Sequence, residues 1–469
     1  MSSSNVRLSP LDASFLSVES PTAHMHVGWA ALFAPPPGHR RPPFEQLRDH
    51  IAGRLPRAPR YRQKLAGVPL GVSDPVWVDD EDFDVRNHVR RARERDFTAA
   101  VDRVMSEQLD RDRPLWEAWI ACNLDDGRMG VIAKAHHCMV DGLAAVELAS
   151  LLVDPTPEPS GGDQDAWRPD ETPGRVQLLA EGLLDRTSKV LDLARGPASL
   201  VRHPERLREL PEKAGAAVTA AVHSFRPAPS ESVLNEPTSP LRHLAATKRP
   251  FDELRTVKRH FGTTVNDVVL AVVSGGIRSF LKRRGEPPVA LKAMVPVSLR
   301  GKDEDGDLGN RISFVFVDLP CDEPDPVRRL RTVSATMDDR KGAGEPEAAD
   351  LILDAAAHAP RALQQILSRV VSSPRTFNLT VSNIPGLPGP LYMLGCRLEE
   401  VYPVVPIADG HAVSIGVTTT GDGAFFGLYA DRRALPDADQ LAEDIDSSLD
   451  ELLALSGSRR EVARGRSRL

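Results

Sequence analysis

Polar and apolar positions change period along this chain often enough to divide it into mixed α/β blocks. Trp116, Ala118, Ile120 and Cys122 recur at every second position within Leu115–Leu124, the period of a half-buried strand. A polar turn at Asp125-Asp126-Gly127 and the apolar run Met129–Ala135 follow, which predicts a hairpin. The period then lengthens. Asp141–Val153 reads as a short amphipathic helix stopped by Asp154-Pro155. A strand that runs into a polar turn and then a helix is a good mount for catalytic groups, because a rigid frame positions an exposed turn.

Beyond Pro155 the composition shifts to Pro, Gly, Asp and Glu as far as about Arg175, the mark of a surface linker. Val176, Leu179, Ala180, Leu183, Val190, Leu191 and Ala194 then recur at helical spacing, and Arg195, Arg202, His203, Arg206 and Arg208 make the next stretch basic. Two readings fit: a connecting helix packed on the domains, or a basic amphipathic segment lying on a lipid surface.

A second block spans Leu241 to Leu455. Phe251–His260 predicts a helix. Thr264 and Asp267 predict a capping box at the start of a helix ending at Gly285. Strands are expected at Ala290–Ser298, Ile312–Leu319, Phe377–Val381 and Glu399–Val405. A hairpin is expected at Val413–Thr420 and Ala424–Tyr429, and a closing helix from Asp437 to Leu455. The pattern therefore predicts an N-terminal domain over 1–154, a linker over 155–240, a C-terminal domain over 241–456 and a basic tail over 457–469.

Composition narrows the classes. With 59 basic and 66 acidic residues the net charge is −7, which argues against nucleic acid as the main partner. The four cysteines, Cys122, Cys138, Cys321 and Cys396, lie far apart and suggest neither a zinc site nor a disulfide framework. The polar start has no signal-peptide core, and the apolar run Val268–Ile277 is about half of the roughly 20 residues that cross a bilayer. A soluble or peripheral protein with a cytoplasmic address is expected.

The chemistry concentrates in HHCMVDG, His136–Gly142, at the end of a predicted strand. Successive strand residues face opposite ways, so only one histidine can face a given cleft. His137 is in phase with the small Ala133 and Ala135, His136 with Lys134. Three chemistries could use the motif. Adjacent histidines on opposite faces chelate zinc poorly. A nucleophilic Cys138 is conceivable, although buried cysteines are usually inert packing. The third is a histidine acting as general base on a hydroxyl or thiol, with Asp141 organising the turn.

HHCMVDG resembles the HHxxxDG signature of acyltransferases related to chloramphenicol acetyltransferase and peptide-synthetase condensation domains. Leu8–Gly28 (LSPLDASFLSVESPTAHMHVG), RPLWEAW (Arg113–Trp119), Thr263–Leu281, MVPVSLR (Met294–Arg300), Gly309–Pro320 and SNIPGLPGP (Ser382–Pro390) are similar to the bacterial wax ester synthase/diacylglycerol acyltransferase family. The resemblance covers nearly the whole chain apart from the linker and the tail. It implies a mixed α/β fold of two chloramphenicol acetyltransferase-like domains with an active-site tunnel between them.

The resemblance also implies site residues. His137 would be the general base and His136 a positioning residue. Asn266, of the Asn-Asp pair, would position the carbonyl or oxyanion. Asp141 would be structural, paired to an arginine with Arg62 first and Arg300 second in line, and Gly142 would let the helix pack closely. Ser298 is a weak substrate-binding candidate. Pro114, Leu115 and Trp116 read as architecture. The implied reaction is direct transfer from long-chain acyl-CoA to diacylglycerol or a fatty alcohol at a membrane or lipid-droplet surface, with no metal or bound cofactor. Two rivals stand beside it: an acyltransferase using carrier-bound substrates, and a non-catalytic lipid-droplet scaffold.

Overall fold

The computed structural model describes residues 6–139, 152–162, 165, 167–185, 187, 227–229, 232–298, 312–342 and 361–457. Two six-stranded sheets organise them. In the first, the order is Tyr392–Met393, Cys396–Val404, His26–Ala34, Met129–His136, Trp116–Ala121 and Val89–Ala92. The expected hairpin forms: Trp116–Ala121 pairs antiparallel with Met129–His136, and Gly127 supplies the positive φ of 81° that its turn needs. One face of this sheet packs Trp116, Ala118, Ile120, Val131, Ala133 and Ala135 against helix Phe44–Ala52.

The second sheet runs Arg242–Pro250, Gly423–Asp431, Val413–Thr420, Leu379–Pro385, Leu291–Ser298 and Ile312–Leu319. Leu379–Pro385 is parallel to both its neighbours. Helices Val265–Arg283, Pro326–Gly342 and Ala438–Leu455 pack together beside it, as their shared apolar cluster shows. Helix Val265–Arg283 carries the predicted capping box, with the Thr264 and Asp267 side chains each bonded to the other's backbone. Its Gly276 touches the last helix so closely that an added Cβ would stand 2.8 Å from the backbone nitrogen of Ile445.

The pattern missed how the chain is shared between the sheets. Strand Cys396–Val404, expected with the second block, crosses over and pairs with His26–Ala34. The first sheet is thus built from both ends of the chain. A common apolar cluster joins the halves, with Ala30, Leu32, Val104 and Ile132 against Leu244, Tyr402, Phe425 and Tyr429. Polar pairs cross the same seam. Glu400 accepts from Arg128 at 2.9 Å and binds Lys248, and His243 lies between Asp102 and Asp439.

Asp154, read as a helix stop, also pins the linker. It pairs with buried Arg54 at 2.6 Å and bridges to Tyr392. Residues 175–185 are helical as predicted, whereas most of the Asp141–Val153 helix, the basic stretch Arg195–Arg208 and residues 458–469 lie outside the described residues. No single helix among the described residues is long and apolar enough to cross a membrane.

Candidate active site

The strand Met129–His136 delivers the motif. His136 is its last residue and lies opposite His26 in the ladder, and His137 begins the turn at 137–139. The neighbouring strand comes unusually close here. A Cβ on Gly28 would fall 1.9 Å from the carbonyl oxygen of Ala133, so glycine is required for this pairing. The backbone of the turn is held from three sides. His136 N–H donates to the Leu115 carbonyl at 2.9 Å, His137 N–H to the Met25 carbonyl at 2.9 Å, and Met139 N–H to the His136 carbonyl at 2.9 Å. Met25 offers its carbonyl from a left-handed conformation, φ 50°, which costs about 1–3 kcal/mol for a non-glycine residue.

The two imidazoles have different surroundings. His136 is 1% exposed, and its Nδ1 accepts the Cys138 backbone N–H at 3.1 Å. Burial, helped by Arg111 and His137, pushes its pKa down to about 3, so it is neutral at ordinary pH. With Nδ1 accepting, the proton of the neutral ring is on Nε2, which points toward the Glu19 carboxylate 3.7 Å away. His137 is half-buried, and its ring stacks on Phe15 with centroids 3.8 Å apart and planes 16° from parallel. Cys138 is 3% exposed, and burial drives its thiol well above the usual range, the opposite of what a thiolate nucleophile needs.

Asn266 stands in the second half, one residue inside helix Val265–Arg283. It is half-buried, at the exposed start of the helix. Asp267 is engaged in the cap and with Ser334 Oγ at 3.2 Å. Ser298 closes the strand Leu291–Ser298 opposite Ile312. Asp141, Gly142, Arg300 and the Ser298 side chain lie outside the described residues.

Among the described residues, which do not include Asp141, Arg62 has Asp165 as its carboxylate partner. It makes a two-pronged pair with Asp165, at 2.9 and 2.6 Å, and lies over the Trp167 ring. The linker thus brings a carboxylate of its own to this guanidinium. Trp116 is framework, donating its indole N–H to the Tyr61 carbonyl at 2.7 Å and stacking on His88.

Phe15, Glu19, Met25, His26 and Arg111 surround the motif, and single-residue reasoning on the sequence missed them. Phe15 to His26 fall within the stretch Leu8–Gly28, which stands out as a block but shows no spacing that assigns its members a role. Among the described residues no cluster of His, Cys, Asp and Glu has the geometry to hold a metal ion.

Residues 8–269 match the wax ester synthase/diacylglycerol acyltransferase catalytic domain and residues 308–453 the C-terminal domain of that family. A protein of Mycobacterium tuberculosis named "Probable diacyglycerol O-acyltransferase tgs2" is 33% identical over 94% of this chain and 98% of its own. Another of that organism, named "Probable diacyglycerol O-acyltransferase tgs1", is 32% identical over 98% of each chain. The solved wax ester synthase/diacylglycerol acyltransferase of Marinobacter aquaeolei superposes with a TM-score of 0.68 at 28% identity, over 97% of this chain and 100% of that one. A condensation domain of the calcium-dependent antibiotic synthetase, at 15% identity and a TM-score of 0.57 over 97% of each chain, shows the shared two-domain α/β fold alone. With its motif at the end of a sheet strand and both halves of the family present, the chain belongs to the wax ester synthase/diacylglycerol acyltransferase family and is an acyltransferase.

Proposed function

We propose that the enzyme transfers a long-chain acyl group from acyl-CoA to the hydroxyl of diacylglycerol, with fatty alcohols as a second acceptor class. The contrast between the two histidines carries the reading. His136 is buried, neutral and has its Nδ1 lone pair committed to the Cys138 N–H, so the half-buried His137 is left as the base. In this mechanism His137 takes the hydroxyl proton as the oxygen attacks the thioester carbonyl carbon. The tetrahedral oxyanion collapses, the C–S bond breaks, and the proton passes to the departing thiolate. Asn266, half-buried at a helix start, donates to the carbonyl oxygen as charge develops. No metal or bound cofactor enters the step, and no acyl-enzyme forms on Cys138.

The acceptor is a lipid, and the surface supports a peripheral approach to it. Leu70 is 90% exposed at the tip of a turn, and Val176 and Leu184 are 82% and 70% exposed on the nearby helix 175–185. Large apolar side chains in that position suit the interface of a membrane or lipid droplet, and the basic stretch that follows would favour anionic lipid. Purified protein incubated with palmitoyl-CoA and a panel of diacylglycerol and fatty alcohols tests the reaction. Triacylglycerol as main product supports it, and turnover only with carrier-bound acyl groups overturns it. Flotation with anionic vesicles at low and high salt tests the surface, and failure to float at low salt rejects it.

A further inference from the structure

The nine-residue helix Pro10–Val18 touches both histidines of the motif. Phe15 lies flat on His137, and Glu19, the residue that ends the helix, is ion-paired with Arg111 and stands 3.7 Å from His136 Nε2. Among the described residues no hydrogen-bond partner lies within reach of that buried nitrogen. The two sides of the His136 ring therefore face opposite demands. Nδ1 must present a lone pair to the Cys138 N–H. Nε2 must then present its N–H to the Glu19 carboxylate, an orientation that a negative charge favours in a poorly solvated site. The other tautomer would set Nδ1–H against the Cys138 N–H and a lone pair against the carboxylate. Both contacts would be repulsive.

We propose that Glu19, neutralised by Arg111, is a positioning residue of the active site: it selects the Nε2–H tautomer of His136, and that tautomer holds the Cys138 N–H and so the turn presenting His137. The proposal rests on the reading of His137 as the base, and it gives the first histidine a defined task. Arg111 matters for a second reason. An uncompensated Glu19 would favour a protonated His136, whose Nδ1–H could no longer accept from Cys138. Neutrality and tautomer are thus fixed by one ion pair, and the helix that carries Glu19 also carries the ring stacked on the base.

The test is ¹⁵N-histidine NMR on the full chain, with the His136 resonance assigned from a His136→Gln variant, together with steady-state kinetics. The wild type should show one His136 species, protonated on Nε2. Glu19→Ala should give a tautomer mixture and lower kcat by roughly 10²-fold, the cost of a small misplacement of the reacting group, with KM for the acyl donor little changed. Glu19→Gln, whose amide oxygen can still face Nε2–H, should restore most of both. Arg111→Gln should shift protonation of His136 to higher pH than in the wild type. An Nδ1–H species in the wild type, an unchanged tautomer in Glu19→Ala, or a loss confined to KM overturns the proposal. The tautomer is read without turnover. A fully active His137→Ala would therefore reject the base assignment and leave the Glu19 result standing.

Discussion

Helices Pro10–Val18 and Val265–Arg283 begin alike and end up with different duties. Each opens on a hydroxyl N-cap, with Ser9 and Asp12 in one and Thr264 and Asp267 in the other. The longer helix then buries nearly its whole middle, from Asp267 to Ile277, whereas the shorter has no fully buried residue. Yet the shorter one touches both motif histidines. Burial reports what a helix contributes to stability, and contact with the site reports what it contributes to chemistry. The two need not coincide, because apolar area removed from water stabilises the fold wherever it lies, while catalysis depends on the placement of a few polar atoms.

The contrast can be broken in graded steps. His137→Ala should lower turnover by about 10²–10⁴-fold with the thermal transition nearly unmoved, as read by acyl-transfer assay and calorimetry. Gly276→Ala should do the reverse: its Cβ would press on the Ile445 backbone, costing about 1–3 kcal/mol of stability in denaturant titration while the folded fraction keeps its kcat. Phe15→Ala sits between these. It removes the surface on which His137 lies, so kcat should fall about tenfold with a Tm change of a few degrees at most, since Phe15 is only partly buried.

A pH experiment probes the seam between the halves. Hydrogen bonds to Asp102, and then to Asp439, raise the His243 pKa from 6.5 to about 10. A raised folded-state pKa means that the folded protein binds the proton more tightly than the unfolded chain. The stabilisation is full below pH 6.5 and is lost as pH rises toward about 10. His243→Gln should flatten the fall in Tm across that window. The smallest effect is expected at Cys138. Cys138→Ala should keep kcat within about twofold, since a buried, protonated thiol takes no part in the transfer, and mass spectrometry should find no acyl adduct without acceptor.

Much of the secondary structure was legible because its signals are local. The capping box at Thr264 and Asp267, the Gly285 stop and the Asp125-Asp126-Gly127 turn each depend on a few neighbouring residues, and each appears where the pattern puts it. Strand Ile312–Leu319 has the predicted bounds for the same reason. At the motif the local reading falls short: it applies strand alternation to both histidines, yet the strand ends at His136 and His137 already lies in the turn. Strand His26–Ala34 escaped notice because an almost wholly apolar strand shows no alternation, whereas helix Phe97–Ser106, with Ala100, Val101, Val104 and Met105 on one face, carried a readable signal that went unread.

By itself the sequence determined the mixed α/β class and the family, and it singled out the seven-residue motif as the candidate site. Only the tertiary structure decided that Cys396–Val404 belongs to the first sheet, that Arg62 binds Asp165, and that Glu19 and Phe15 stand against the histidines. These are pairings between residues tens to hundreds of positions apart. A strand's side-chain pattern states that it needs a neighbour and a buried face, not which neighbour, and a buried charge states that it needs an opposite charge, not which one. That choice is made by the packing of the whole chain.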